Sequence, residues 1–315
     1  MTAPLALDGL VLGGLAVFPI LMPGYLDLGT RMLILTLCAL SLDLVVGYCG
    51  LVTLGHAAFF GVGAYAAGIV AIRVWAEPVL GLLVGGAAAA LLGLISGAVL
   101  LRSRRLTLIV LSLATVLVVQ EIANKMTWLT GGADGLQGIA MRPVLGQFAF
   151  DLSGRVSYTY AAVVLALGFL GFRSVVDSNF GRSLVGIREN ESRMRALGTP
   201  VDARLRTAFV MSAALAGIAG ALQAQVAEFV SLNAVSVEFS GEILIMLILG
   251  GAGRRYGAFL GAPLYVVMQD YLAREDPTNW YLWIGLMLLA IVFLAPGGLT
   301  AWIGALARRV AGKRP

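Results

Sequence analysis

The chain has 315 residues, of which 59% are hydrophobic and only 12% are charged, and its formal net charge at pH 7 is +5. A soluble globule of this size needs more polar surface than this composition supplies, so the composition excludes a soluble protein and indicates a bilayer protein. The two cysteines, Cys38 and Cys49, lie in apolar segments without metal-ligand spacing, so no metal site and no disulfide framework is predicted.

Apolar runs separated by short polar breaks predict an all-α, polytopic membrane protein with about ten transmembrane helices. We expect one transmembrane domain over residues 1–315, since no linker interrupts the pattern. The predicted spans are 5–22, 31–47, 55–75, 79–101, 105–126, 158–174, 205–228, 239–253, 256–272 and 279–297.

The basic residues predict the orientation of these spans. With the N-terminus placed in the cytoplasm, most of the 22 Lys and Arg residues fall on the cytoplasmic side. Those on the other side are Arg31, Arg73, Lys125, Arg142, Arg155 and Arg274. By the positive-inside rule, we expect both termini in the cytoplasm. Residues 126–157 then form a periplasmic loop, and residues 175–204 form a cytoplasmic loop.

The predicted cytoplasmic loop has the capping and terminating residues of a short amphipathic helix near 181–197. Asp177 or Ser178 can cap its start, and Gly198 stands where a left-handed stop residue belongs. The apolar residues Leu184, Ile187, Met194 and Leu197 fall on one face at helical spacing. Periodicity leaves two interpretations open: the helix lies on the membrane surface, or it docks a soluble partner.

The stretch "GYCGLVTLGHAAFFGVGAY", residues 47–65, is unusually rich in glycine for a membrane span. Glycine costs about 1 kcal/mol against alanine inside a helix, so a compensating reason is needed. Close helix packing is one reason, and a broken helix lining a polar pathway is the other. We favour a break or sharp bend between Gly47 and Gly55. Small residues spaced four apart at Gly81/Gly85, Gly93/Gly97, Gly217/Ala221 and Gly253/Gly257/Gly261 predict plain packing.

Three ionisable residues fall within predicted spans: Asp43, His56 and Glu121. Placing such residues in lipid costs free energy, so they usually face protein or water. One interpretation is therefore that they line a transport pathway. The other is structural, with His56 bonded to a nearby carbonyl and Asp43 holding helices together. With a single histidine and no paired carboxylates, no catalytic group is predicted.

Four stretches resemble motifs of the branched-chain amino acid family of ABC importer permeases, in its LivM-type branch. In chain order they are "SLDLVVGYCGLVTLGHAAFFGVGAY", "TGGADGLQGI", "GRSLVGIRENESRMRALG" and "LILGGAGRRYGAFLGAPL". The resemblance runs from about residue 40 to about residue 300. It departs at Leu51, where the family often has glutamine, and in "LSLATVLVVQEI", so the solute stays open among branched-chain amino acids, amides and urea.

The resemblance implies a permease domain in the bacterial inner membrane that works with other subunits. These are a homologous LivH-type permease, two cytoplasmic ATPases and a periplasmic substrate-binding protein; membrane lipid is a further partner, and nucleic acid is not. The chain itself has no G-x-x-x-x-G-K-[ST] motif, so we expect no enzyme activity and no bound cofactor, with ATP hydrolysed by the partner subunits.

The glycine-rich stretch and the intramembrane ionisable residues indicate pathway residues, and the amphipathic helix indicates coupling residues. The expected pathway residues are Asp43, Gly47, Gly50, Thr53, Gly55, His56 and Glu121. The expected ATPase-coupling residues are Gly181, Arg182, Leu184, Ile187, Arg188, Glu189, Glu191, Met194 and Gly198. Among these, Leu184, Ile187 and Met194 are expected to enter a groove of the ATPase, with charges at the rim.

Two alternatives stay open. An ion-coupled secondary transporter would explain intramembrane Asp43 and Glu121, although it has no use for an ATPase-docking helix. A ribose-type sugar ABC permease is the nearest neighbour within the ABC interpretation.

The predicted topology is testable with reporter fusions. A reporter joined after Val144 should read as periplasmic, because five predicted spans separate it from the cytoplasmic N-terminus, and one joined after Ser192 should read as cytoplasmic, because six spans do. The opposite reading at either site would overturn the predicted map.

Overall fold

The computed structural model describes residues 21–103, 105–144, 146–150, 154–294 and 297–302, together with residues 9, 13–15 and 17–19. Over these residues the chain is helical, and its only β pairings are two isolated bridges, Leu136–Val230 and Val144–Phe148. The prediction of an all-α protein is therefore confirmed. The predicted first span, 5–22, lies partly outside the described residues.

Most of the main helices are joined by short connections, and the exception is the stretch 126–154 between the helices that end at Lys125 and begin at Arg155. They are α1 (Leu26–Asp43), α2 (His56–Arg73), α3 (Pro78–Leu100), α4 (Arg105–Lys125), α5 (Arg155–Asp177), α6 (Asn179–Glu189), α7 (Glu191–Ala196), α8 (Val201–Ala227), α9 (Val237–Gly250), α10 (Gly257–Glu275) and α11 (Trp280–Leu294). A 3-10 turn, Pro23–Tyr25, leads into α1, and a π-helical turn, Leu44–Tyr48, extends it.

Six segments of the described chain are long and apolar enough to cross a membrane. They are Pro23–Tyr48, His56–Arg73, Pro78–Leu100, Leu106–Lys125, Arg155–Asp177 and Val201–Ala227, which correspond to the second to seventh predicted spans. Helices α9 and α11 have only 14 and 15 residues, short of the roughly 20 that a bilayer needs. Helix α10 contains Pro263 and ends in charged residues. The structure thus supports a multi-pass membrane protein with six candidate spans.

Helix α1 lies at the centre of the molecule. In its most apolar stretch 83% of the residues are buried, against 22% for α4 at the periphery. Helices α5, α8, α9 and α10 pack around it. Most of α1 is therefore surrounded by protein rather than lipid.

Helices α2, α3 and α8 pack with their backbones in direct contact. A Cβ on Gly63 would overlap the backbone of Gly217, and a Cβ on Gly217 would overlap Gly85. A Cβ on Gly220 would overlap the carbonyl oxygen of Phe60. Packing rather than hydrophobicity drives helix association in lipid, so these glycines permit the contact that holds the three helices together. The packing role predicted for small residues on α3 and α8 is confirmed.

One buried glutamine joins three helices through polar contacts. Gln225 on α8 accepts a hydrogen bond from the Tyr160 hydroxyl (2.9 Å), and its amide donates to the Pro78 carbonyl (2.7 Å). Such side-chain bonds add specificity to helix packing inside a membrane.

The glycines of "TGGADGLQGI" form a turn. Gly131, Gly132, Gly135 and Gly138 all have positive φ, which other residues rarely adopt. The turn is fixed to the segment after α8, where Leu136 and Val230 exchange backbone hydrogen bonds.

The backbone contact of α8 predicts that substitutions at two glycines have very different effects on the stability of the folded protein. Gly217→Leu should destabilise the folded protein by about 1–3 kcal/mol or more, because the side chain has no space between α3 and α8. Gly171→Leu on α5 is the matched control, since a Cβ there meets no described atom within 4 Å. Thermal unfolding in detergent measures both, and equal melting temperatures would contradict the packing described for α8.

Candidate functional site

The helical structure is interrupted between α1 and α2. The last turn of the first span widens into a π-helical turn over Leu44–Tyr48, and α2 begins at His56. Gly50 has a φ of +72° and redirects the chain within the break. The break predicted between Gly47 and Gly55 is thus confirmed, and the glycines are explained by irregular backbone in addition to packing.

The backbone of this break is hydrogen-bonded by side chains. Three N–H groups donate to hydroxyls: Leu54 to Ser112 (3.0 Å), Gly55 to Thr53 (3.1 Å) and Ala57 to Ser240 (3.0 Å). Two of these hydroxyls come from other helices, α4 and α9. These contacts satisfy N–H groups that the interruption between the two candidate spans leaves without helical partners.

Asp43 connects α1 to the turn between α9 and α10. Its side chain is buried, and Oδ1 accepts a hydrogen bond from the backbone N–H of Gly253 (2.6 Å). Oδ2 has no hydrogen-bond partner among the described residues. A Cβ on Gly47 would overlap both Asp43 Oδ1 and Gly253, so this contact requires glycine at position 47.

Arg188 on α6 reaches the same place from the segment that follows α5. Its guanidinium donates to the carbonyl oxygen of Gly47. Gly50 and Gly253 both lie against its side chain, where added Cβ atoms would approach it to 2.6 and 2.9 Å. We call Asp43, Gly47, Gly50, Arg188 and Gly253 the Arg188 junction. It unites residues that the sequence predicted separately for the pathway and for coupling.

His56 lies in a buried polar cluster between three helices. Its Nε2 is 3.1 Å from the Ser41 hydroxyl on α1 and 3.2 Å from the Ser212 hydroxyl on α8. The Ser212 hydroxyl also donates to the Ser41 carbonyl, at 2.5 Å. Nδ1 of His56 has no hydrogen-bond partner in the described part of the chain. The ring is therefore held by hydroxyls, whereas the structural interpretation of the sequence expected a carbonyl.

Glu121 does not join these residues. Its side chain is 61% exposed on α4, and its carboxylate pairs with Lys125 one turn later, at 3.6 Å. Its position in an apolar run resembled that of Asp43, but the structure places it on the outer face of a peripheral helix.

The predicted coupling helix is divided in two. Helix α6 ends at Glu189, and α7 begins at Glu191, with Asn190 between them in an extended conformation. The Asn190 side chain caps α7 by accepting from the Arg193 N–H (2.9 Å). At the two ends of the segment the predictions hold, since Ser178 caps α6 and Gly198 has a φ of +79°.

Leu184 and Ile187 do not form an exposed docking row. Their exposed fractions are 0% and 4%, and they pack into the main hydrophobic core of this chain. Only Ser178 separates α5 from α6, and Gly181 lies against the carbonyl oxygens at the end of α5. The apolar face of α6 is therefore turned onto its own core. The expectation that these two side chains enter a groove of a partner was wrong.

The other predicted coupling residues lie nearer the surface. Met194 is half-buried, with its sulfur against Gly186. Arg182, Glu189, Glu191 and Gly198 are exposed, and Leu197 is 73% exposed. These side chains, together with Arg195, are the part of the segment that a partner can reach.

Arg195 was not among the predicted residues. Its guanidinium bridges Asp202 (2.7 Å) on α8 and Glu191 (2.9 Å) on α7, and hydrogen bonds first to Asp202 and then to Glu191 raise the pKa of Arg195. The Glu191/Arg195 spacing of four was a visible signal. Because all three side chains are exposed, the network orients α7 and adds little stability. Beside it, a cavity of about 670 Å³ extends to Gly50 and Arg188 and is lined by Arg102 and Arg206.

Comparisons with known proteins identify the family and the relatives of this chain. Residues 24–292 match the family described as "Branched-chain amino acid transport system / permease component". The chain is 28% identical over 300 residues to the high-affinity branched-chain amino acid transport system permease protein LivM of Escherichia coli, covering 87% of this chain and 69% of that protein.

Two further relatives are more distant. The probable branched-chain amino acid transport permease protein LivM of Methanocaldococcus jannaschii is 25% identical over 306 residues, covering 83% of this chain and 88% of that protein. The autoinducer 2 import system permease protein LsrC of Klebsiella pneumoniae is 29% identical over 177 residues, covering 53% of this chain and 48% of that protein. No solved structure matches. Because the family match spans residues 24–292, most of the chain, this chain belongs to the branched-chain amino acid transport permease family.

Proposed function

We propose that the chain is the permease subunit of an ABC importer for branched-chain amino acids or related small solutes such as amides and urea. The family match over residues 24–292 carries this proposal. The permease crosses the bacterial inner membrane about ten times, with both termini in the cytoplasm, and it leaves ATP hydrolysis to other subunits.

Its partners are a homologous LivH-type permease, two cytoplasmic ATPases and a periplasmic binding protein. The apolar faces of α3 and α4 support a place for the second permease and for lipid. Large side chains there are more than half exposed, among them Leu83, Leu94, Val99, Leu106 and Val110. Continuous apolar surface of this extent marks a membrane or protein contact.

The Arg188 junction supports a route for coupling. A force on α6 and α7 reaches the broken first span through Arg188, because its guanidinium holds the Gly47 carbonyl. The same force reaches the α9–α10 turn through Gly253, which is bonded to Asp43. Movement of the cytoplasmic segment by an ATPase is thereby passed to two membrane elements at once. The contact with the ATPase falls on Arg182, Glu189, Glu191, Met194 and Leu197, since Leu184 and Ile187 are buried.

A sugar-type solute is a second candidate. The match to an autoinducer 2 import permease over 53% of this chain favours keeping it. Uptake of leucine, urea and ribose by the importer, each in competition with the others, distinguishes the candidates.

The coupling role of Arg188 is tested by Arg188→Ala in the complex reconstituted in liposomes. We expect ATP hydrolysis stimulated by loaded binding protein, and solute uptake, to fall by about tenfold, since a charged hydrogen bond contributes about 1.5–3 kcal/mol. Arg274→Ala is the control, because Arg274 is exposed, pairs with Asp270 on its own helix and lies outside the proposed ATPase contact. Full stimulation in the Arg188 variant would remove the junction from the coupling route, whereas no uptake of any tested solute by the unaltered complex would reject the importer.

The role of Asp43 is tested by comparing Asp43→Asn with Asp43→Ala. Asparagine keeps an acceptor for the Gly253 N–H, whereas alanine leaves that buried donor unpaired at a cost of about 1–3 kcal/mol. We expect the alanine variant to unfold at a clearly lower temperature than the asparagine variant. If the asparagine variant is as unstable as the alanine variant, the negative charge matters more than the hydrogen bond.

A further inference from the structure

A second polar site lies at the other end of α1 from the Arg188 junction. Arg31 precedes Asp43 by 12 positions on this helix, which is about 18 Å along its axis. There a cavity of about 630 Å³, the Arg31 cavity, opens between α1, α2, α9, α10 and the first turn of α11. This volume is typical of a small-molecule site.

Opposite charges line the Arg31 cavity without forming a close ion pair among the described residues. The Arg31 guanidinium donates to Gln269 Oε1 at 2.9 Å, and Glu242 Oε1 accepts from the Tyr281 hydroxyl at 3.4 Å. Among the described residues Arg31 and Glu242 form no ion pair with each other or with another side chain. Glu238 adds a second, exposed carboxylate. The cavity thus presents one positively charged and one negatively charged side chain, oriented by Gln269 and Tyr281 respectively.

The floor of the cavity is apolar. Phe60 and Leu35 are buried there, and Phe60 meets Phe239 edge to face with ring centroids 4.9 Å apart. Trp280 lines the same space. Aromatic walls of this kind accommodate aliphatic groups, because they remove apolar surface from water.

We propose that the Arg31 cavity binds a zwitterionic α-amino acid with an apolar side chain, with Arg31 facing its carboxylate and Glu242 facing its ammonium group. This inference rests on the proposed importer function and specifies its solute class and its site. A neutral solute such as urea or a sugar has no charge to match either residue. An α-amino acid with a branched aliphatic side chain matches both charged residues and the aromatic floor.

The test uses the importer complex and three ligands that share one carbon skeleton. L-leucine carries both charges, 4-methylpentanoate lacks the ammonium group, and 3-methylbutylamine lacks the carboxylate. We expect the unaltered complex to bind leucine about tenfold more tightly than either analogue, because each analogue leaves either the exposed Arg31 or the half-buried Glu242 without its charged partner.

The variants then assign each charge to its residue. Arg31→Gln should abolish the preference for leucine over 3-methylbutylamine and keep the preference over 4-methylpentanoate. Glu242→Gln should do the reverse. Arg274→Gln and Glu121→Gln are the controls, since both residues pair with neighbours on their own helices, away from the cavity lining. Both controls should keep both preferences.

Three outcomes would overturn the inference. Variants that weaken all three ligands equally would show a structural role, and variants that only loosen the association of the two permeases would show a subunit interface. Unchanged preferences in both variants would remove the residues from any site. In each of these outcomes leucine uptake by the unaltered complex leaves the importer function standing, whereas its failure to take up any amino acid rejects that function.

Discussion

The backbone of a broken membrane helix must find its hydrogen bonds inside the protein, and this requirement organises the structure. Lipid offers no donors or acceptors, so backbone groups freed at the break need partners from the chain itself. Ser112 on α4 and Ser240 on α9 accept from the N–H groups of Leu54 and Ala57, and Arg188 on α6 donates to the Gly47 carbonyl. Three elements that are distant in sequence are therefore held beside one break. The position of α6 follows from the same requirement, since Arg188 bonds there.

Small residues provide a second source of helix packing, because they allow helix backbones to approach each other closely. Helices α2, α3 and α8 touch through glycine backbones, and α9 and α10 do the same, where a Cβ on Gly261 would overlap the Met246 carbonyl and one on Gly250 would overlap Gly257. The two groups differ in their surroundings: α8 is held by a buried glutamine as well, whereas the turn of the α9–α10 pair is held by Asp43. Packing of this kind leaves little space for adjustment within each group, so rearrangement is easier between the groups than inside them.

Local chemistry could be predicted from the sequence, and tertiary surroundings could not. Clustered glycines indicated the break, and the Ser178 cap and the Gly198 stop follow from backbone rules that act over a few residues. Periodicity identified the apolar face of α6, yet it contains no information about what covers that face, so Leu184 was assigned to a partner. Asp43 and Glu121 looked alike for the same reason, because hydropathy does not distinguish a central helix from a peripheral one. The serines that satisfy the break are ordinary residues in apolar runs and carried no signal.

Helix α1 carries Arg31 near one end and Asp43 near the other, and it is buried along most of its length. Because Arg31 and Asp43 belong to one continuous helix, a movement of that helix along its axis displaces both. Under the proposed function, thermodynamic reciprocity then links the two ends: the factor by which an engaged ATPase changes solute affinity equals the factor by which bound solute changes ATPase affinity. An importer needs its solute to be released when the cytoplasmic machinery engages. In such a cycle the solute and the engaged state oppose each other, and a single helix is sufficient to connect them.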